Sequence, residues 1–242
     1  MCYHDSKDFS ISDLENYYHY NLEDRLKEDW SRMYHENGFN HIPSPVVLAS
    51  NAVSLYSWGL IPWFIKSLPD ALKLRNQTLN CISEEMYDKP SYRDSIKKGQ
   101  RCLIPMTGFF EWRWEDSKGK EKTPHYIYLK NQKIFSVAGI YAAWTDKSND
   151  QEFLTYSVLT TKANKLMEGI HNNKKRMPVI IPKMYEKDWL NPELTKDDVL
   201  AMCQPFDDDK MEAYTISKLI TSRKESSNVP KVLEQVDSGM LF

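Results

Sequence analysis

Apolar residues recur along this chain with two different periods. Over residues 10–36, Leu14, Tyr17, Tyr18, Leu22, Leu26, Trp30 and Met33 fall at helical spacing. The spacing predicts one amphipathic helix, capped by Ser10 or Ser12, acidic in its first turns and stopped at Gly38. From Pro43 to about Pro69 no period holds, and the chain reads as irregular and extended. Strand-like segments follow: "RCLIPMTGFFEWRW", "PHYIYLKN", "KIFSVAGIYAAW" and "EFLTYSVLTT", rich in β-branched and aromatic residues. "SKGKEK" and "TDKSNDQ" between them read as hairpin turns. "KANKLMEGI", "MYEKDWL" and "TKDDVLAMC" read as short helices, "MPVIIP" as a strand kept short by its prolines, and "EAYTISKLI" as the last strand. Strands in blocks with helices at the ends predict an α+β fold. A single domain over residues 1–221 forms on a mostly antiparallel, barrel-like sheet with flanking helices, and residues 222–242 form a loose polar tail.

Composition narrows the class. The 242 residues are 41% hydrophobic and 27% charged, as in ordinary globular proteins. No apolar run reaches a membrane span and no secretion signal opens the chain, so the expected location is the cytoplasm, without membrane association. Cys2, Cys81, Cys102 and Cys203 form no C-x-x-C pair, and the six histidines lack metal spacing. Neither a disulfide scaffold nor a metal site is therefore expected. A net charge of −2 gives no bulk pull on nucleic acid, so any grip on DNA must be local.

Four places carry polar chemistry. The chain opens "MCYH", so removal of Met1 would leave Cys2 with an amine and a thiol on one α-carbon. Such an aminothiol condenses with an aldehyde to an imine and then closes to a thiazolidine; the plain alternative is a frayed terminus. In "GFFEWRW", Glu111 shares a strand face with Phe109 and Arg113. Buried there, its carboxylate would be raised toward use as a general acid or base; the alternative is a solvated pair with Arg113. In "GIHNNKKRMPVIIP", His171 sits in a loop before an apolar strand, with Lys174, Lys175 and Arg176 beside it. Asn80 is a hydrogen-bond donor for a substrate oxygen, and Arg93, Lys97, Lys98 and Arg101 form a second basic cluster.

The initial "MC", "WGLIP", Asn80 ahead of "KPSYR", "RCLIPMTGFFEW", "AGIYAAW", the two threonines before Ala163-Asn164, and "IH" followed by "RMPVII" occur in a telling order. In order and approximate spacing, from Cys2 to about Pro182, they resemble the SOS response-associated peptidase (SRAP) family, whose members process abasic sites in DNA. The resemblance implies a covalent crosslink between the mature N-terminal cysteine and the aldehyde of an abasic deoxyribose in single-stranded DNA. It places the catalytic roles on Cys2, Asn80, Glu111 and His171. It implies removal of Met1, by the protein's own peptidase activity or by an aminopeptidase, no cofactor, and a monomer partnered by single-stranded DNA containing abasic sites. DNA contacts are expected from His4, Trp63, Phe64, Arg93, Lys174, Lys175 and Arg176, with Trp58 a further stacking candidate or a core residue.

The chain departs from the family where phosphate is expected. His4 stands in place of an arginine, Ile82 in place of a second, and two residues are inserted between His171 and "RMP". Trp63 and Phe64 stand where a single tryptophan usually falls at the position of Phe64. The same N-terminal cysteine also suits a thiol peptidase or amidohydrolase, and the fold also suits a reader that binds damaged DNA without bonding to it.

Overall fold

The computed structural model describes residues 2–20, 30–50 and 52–236. Strands β1 (His4–Lys7), β2 (Met33–Asn37), β7 (Gly108–Trp114), β8 (Lys122–Leu129) and β13 (Met211–Thr215) form one antiparallel sheet, ordered β13-β8-β7-β1-β2. Strands β3 (Pro43–Leu48), β4 (Val53–Trp58), β6 (Arg101–Met106), β9 (Phe135–Asp146) and β10 (Gln151–Lys162) close into a five-stranded barrel, because β9 at one end pairs with β10 at the other. Within the barrel only β10 and β4 run parallel. Three short strands extend it: β5 (Asn80–Ile82) and β11 (Arg176–Pro178) on β10, and β12 (Ile180–Ile181) on β9. The barrel-like α+β expectation is met. Among the described residues no helix is long and apolar enough to cross a membrane.

Both expected hairpins form, and local chemistry explains each. β7 and β8 join through a turn whose Asp116 carboxylate accepts from the amides of Lys118 and Glu121 at 2.7 and 2.6 Å. Gly119 takes φ +63 there, the left-handed conformation that glycine adopts without penalty. β9 and β10 join through a turn in which Asp146 accepts from the Ser148 amide and hydroxyl. Among the described residues six helices lie outside: α1 (Ile11–Tyr18), α2 (Leu68–Arg75), α3 (Pro90–Lys97), α4 (Lys165–Ile170), α5 (Glu186–Leu190) and α6 (Lys196–Met202).

The single helix read over residues 10–36 is not what forms. Ser10 caps α1 in a reciprocal box with Asp13, but the helix ends at Tyr18 and His19 turns left-handed at φ 60. Met33 belongs to β2, which pairs with β1, so a ladder with the N-terminus overrides the helical spacing. Leu22 and Leu26 lie outside the described residues. The stretch read as irregular from Pro43 holds the β3–β4 hairpin. Its prolines are tolerated because β6 joins β3 only at Val47 and Leu48, beyond Pro43 and Pro45. "MPVIIP" splits into β11 and β12 on different partners.

The tail also differs from expectation as far as residue 236. Val232 is buried, Asn228 accepts from the Tyr34 amide at 2.8 Å, and Gln235 bridges Ile216. Residues 237–242 lie outside the described part. Arg101, read as part of a basic surface cluster, is buried, its guanidinium donating to the carbonyls of Trp189 and Asn191.

Beneath the N-terminal strand lies a buried charge cluster. Asp5 and Glu36 face each other across β1 and β2, and Lys7 donates to both. All three are essentially solvent-free. Opposed carboxylates destabilise a ladder, and the Lys7 ammonium offsets them. Lys7→Met is therefore expected to lower unfolding free energy by about 3–5 kcal/mol, the usual cost of orphaning a buried charge. Adding Asp5→Asn and Glu36→Gln should restore part of the loss. Denaturant midpoints test this, and a Lys7→Met protein as stable as the parent refutes it.

Candidate active site at the N-terminal cysteine

β1 lies between β2 and β7, with Asp5 opposite Phe109. Continued toward the N-terminus, that register sets Tyr3 opposite Glu111 and brings Cys2 beside it. Cys2 is 1% exposed and packs in the cluster that holds Trp58, Phe109 and Tyr156. Asn80, on β5, donates from Nδ2 to the Cys2 carbonyl at 2.8 Å, and Tyr92 of α3 donates to the Asn80 carbonyl at 3.0 Å. Asn80 thus grips the backbone of Cys2 itself, a contact its type alone did not disclose. Its buried Oδ1 has no partner among the described residues.

The Cys2 thiol donates to the His4 carbonyl at 3.3 Å. Burial, then the carboxylates of Glu111 and Asp5, push it well above the ordinary thiol value. At neutral pH the sulfur is therefore a thiol and not a thiolate. Met1 lies outside the described residues.

Glu111 is buried, and its Oε1 lies 3.9 Å from Nδ1 of His171, the residue that ends α4. Arg113 turns to solvent instead and pairs with Glu115 at 3.6 Å, so the solvated Glu111–Arg113 pair does not form. His171 Nδ1 lies 2.8 Å from the Arg176 carbonyl. A carbonyl only accepts, so Nδ1 carries the hydrogen and Nε2 is the basic nitrogen. Burial lowers the His171 pKa, against the opposing pull of Glu111, and the ring is neutral at pH 7.

Glu111 and His171 border a cleft of about 390 Å³ lined also by Tyr3, His4, Trp112, Trp114 and Lys174. The inserted loop after His171 is clamped to β7. Asn172 accepts from the Trp114 amide at 3.1 Å and donates to the Trp114 carbonyl at 2.8 Å. Of the expected basic contacts, Lys174 lines the cleft, and Lys175 is exposed with φ 49. Arg176 forks onto Glu84, both contacts 2.7 Å, and also donates to the Thr160 carbonyl, so its guanidinium is engaged within the protein.

His4, expected to face phosphate, meets His35 at 2.8 Å, and His35 meets the Ser227 hydroxyl at 2.7 Å. Burial and the neighbouring His35 bring His4 down to about 3, so it carries no charge at neutral pH. Arg93 stands half-exposed on α3. Trp63 is 65% exposed and hydrogen-bonded to Asp94, with Phe64 edge-on beside it. Trp58 is core: fully buried, stacked on Tyr156 and donating to the Leu79 carbonyl. Among the described residues no group of three or more His, Cys, Asp and Glu is placed to hold a metal ion.

Tyr3, Trp112, Trp114 and Lys122 line the cleft but were not singled out from sequence. Trp112 and Trp114 follow Glu111 in "GFFEWRW" and were legible there. Lys122 reaches the cleft only through the hairpin register that sets it opposite Trp114.

Fold and site define a barrel-centred α+β protein whose reactive groups gather around its second residue. The chain belongs to the SOS response associated peptidase (SRAP) family, whose sequence profile matches residues 1–223. It is 38% identical over 208 residues to the abasic site processing protein YoqW of Bacillus subtilis, covering 83% of this chain and 87% of that one. It is 27% identical to the abasic site processing protein HMCES of Xenopus tropicalis, covering 81% of this chain and 61% of that longer one. A crystal structure of a protein from Bacteroides thetaiotaomicron superposes with a TM-score of 0.90 at 37% identity, covering 97% of this chain and all of that one.

Proposed function

We propose that this protein captures abasic sites in single-stranded DNA as a thiazolidine on Cys2, after Met1 is released by the same groups. The convergence of Cys2, Asn80, Glu111 and His171, from four separate segments, carries this reading. The abasic sugar is mostly a closed hemiacetal. His171 Nε2 takes the proton of the C1′ hydroxyl and passes it to O4′ as the C1′–O4′ bond breaks, freeing the aldehyde. Glu111 takes a proton from the Cys2 ammonium, whose free form has a pKa of about 7.7–8.0. The amine attacks C1′, and Glu111 returns the proton to the departing hydroxyl, which leaves as water. The thiol then adds across the imine: sulfur bonds to carbon and its proton moves to nitrogen. A protonated thiol suits this order, since the sulfur is held back until the imine exists. Asn80 keeps Cys2 in place throughout.

Intact mass after mixing the mature protein with abasic single-stranded DNA tests the reading. The expected product is the sum of both masses less one water. Peptide cleavage without adduct would favour a thiol peptidase, and reversible binding alone a reader; either outcome overturns the proposal.

Arg93 supplies a phosphate contact in this reading. Arg93→Ala should weaken binding to all single-strand sequences alike and flatten the salt dependence by about 0.7 in log–log slope. An unchanged salt titration would make Arg93 structural.

A further inference from the structure

A second cavity, of about 660 Å³, continues the cleft along the β7–β8 hairpin; Trp112, Lys122 and Thr221 line both. Its walls carry Lys120 from the hairpin and Lys218 from the turn after β13. The floor is built rather than incidental. Trp114 lies opposite Lys122 in the hairpin register, and the Lys122 ammonium sits 5.0 Å from the Trp114 ring centre. Gly119 lies so close beneath that ring that a β-carbon there would come within 2.6 Å of it. Trp112 is held by an edge contact with His4, centroids 4.9 Å apart. A rigid indole beside lysines is what a single strand needs: a face on which a base stacks, and cations along its backbone. The need is local, because His4 is neutral and Arg176 is spent on Glu84.

We propose that this trough carries the strand on one side of the abasic nucleotide, with a base over Trp112 and phosphates on Lys122, which Trp114 supports from below, and on Lys218. The inference rests on the DNA reading above. The acidic neighbours do not cancel the lysines: Glu115 is paired with Arg113, which leaves Glu121 against Lys120, Lys122 and Lys218.

The test compares the parent protein with the double variant Lys122→Gln, Lys218→Gln, both carrying Cys2→Ala so that binding is reversible. Oligonucleotides with one abasic site are lengthened on the 5′ side only or on the 3′ side only, and affinity is measured by fluorescence anisotropy across a salt series. In the parent, lengthening on either side should raise affinity. In the variant the gain should vanish on one side and persist on the other, with a log–log salt slope shallower by about 1.4. Melting temperatures establish that the variant folds, since exposed substitutions of this kind change stability by under about 0.5 kcal/mol. Equal gains and equal slopes in the two proteins overturn the trough and leave the crosslinking reading standing. A wild-type protein that forms no adduct and binds no single strand overturns both.

Discussion

Cys2→Ala is expected to abolish the SDS-resistant adduct with abasic single-stranded DNA, while folding and most DNA affinity survive. The argument is chemical. The alanine variant keeps an N-terminal amine and so still makes an imine, but it has no sulfur to close the ring, and an imine hydrolyses under denaturing conditions. An adduct should therefore appear only when a borohydride reductant traps the imine. The structural cost is small: one buried sulfur is lost, along with a long contact to the His4 carbonyl, worth about 1 kcal/mol by analogy with other small core truncations. A protein that retains Met1 should give no adduct with or without reductant, because its α-amine is displaced by a residue. Gel shift and intact mass, with thermal melts alongside, read all three. A stable unreduced adduct on the alanine variant would sink the thiazolidine assignment.

Glu111→Gln should slow adduct formation by roughly 10²–10⁴-fold near pH 7, the usual contribution of a positioned acid–base group. Two effects oppose each other here. Losing the carboxylate removes the group that relays protons from the amine to the leaving hydroxyl. It also removes a negative charge that stabilises the ammonium, so more amine is free. The second effect helps only the loss of the first proton, because the departing hydroxyl is still left without its proton donor. The loss of the relay therefore wins. The defect should narrow as pH rises past about 8, where the amine deprotonates without help. His171 does not blur the profile, because burial already holds its pKa below the ordinary value and the loss of Glu111 lowers it further. Single-turnover rates from about pH 6 to pH 9 decide the matter. Parallel profiles, or a variant that has simply lost stability, would remove Glu111 from the role of base.

The chain itself determined a good deal. Period-two segments bounded by turn residues gave the strands from Arg101 to Lys162 and both hairpins, because alternation along a half-buried strand and turn chemistry are local properties. Cys2, Asn80, Glu111 and His171 were legible because each sits in a short, recognisable segment. What they do to one another was not. Only folding brings Asn80 onto the Cys2 carbonyl, 78 residues away, and Glu111 to His171. Desolvation, which keeps the Cys2 thiol protonated and His4 uncharged, depends on what packs around each group and has no linear signature. Long-range partners likewise decided that Arg101 and Arg176 serve the protein itself, through the carbonyls of Trp189 and Asn191 and the carboxylate of Glu84. The same holds for Met33, whose place in a strand is set by β1 and not by its own spacing. Residue type and period are written along the chain, whereas pairing, burial and charge state belong to neighbours that only the tertiary structure supplies.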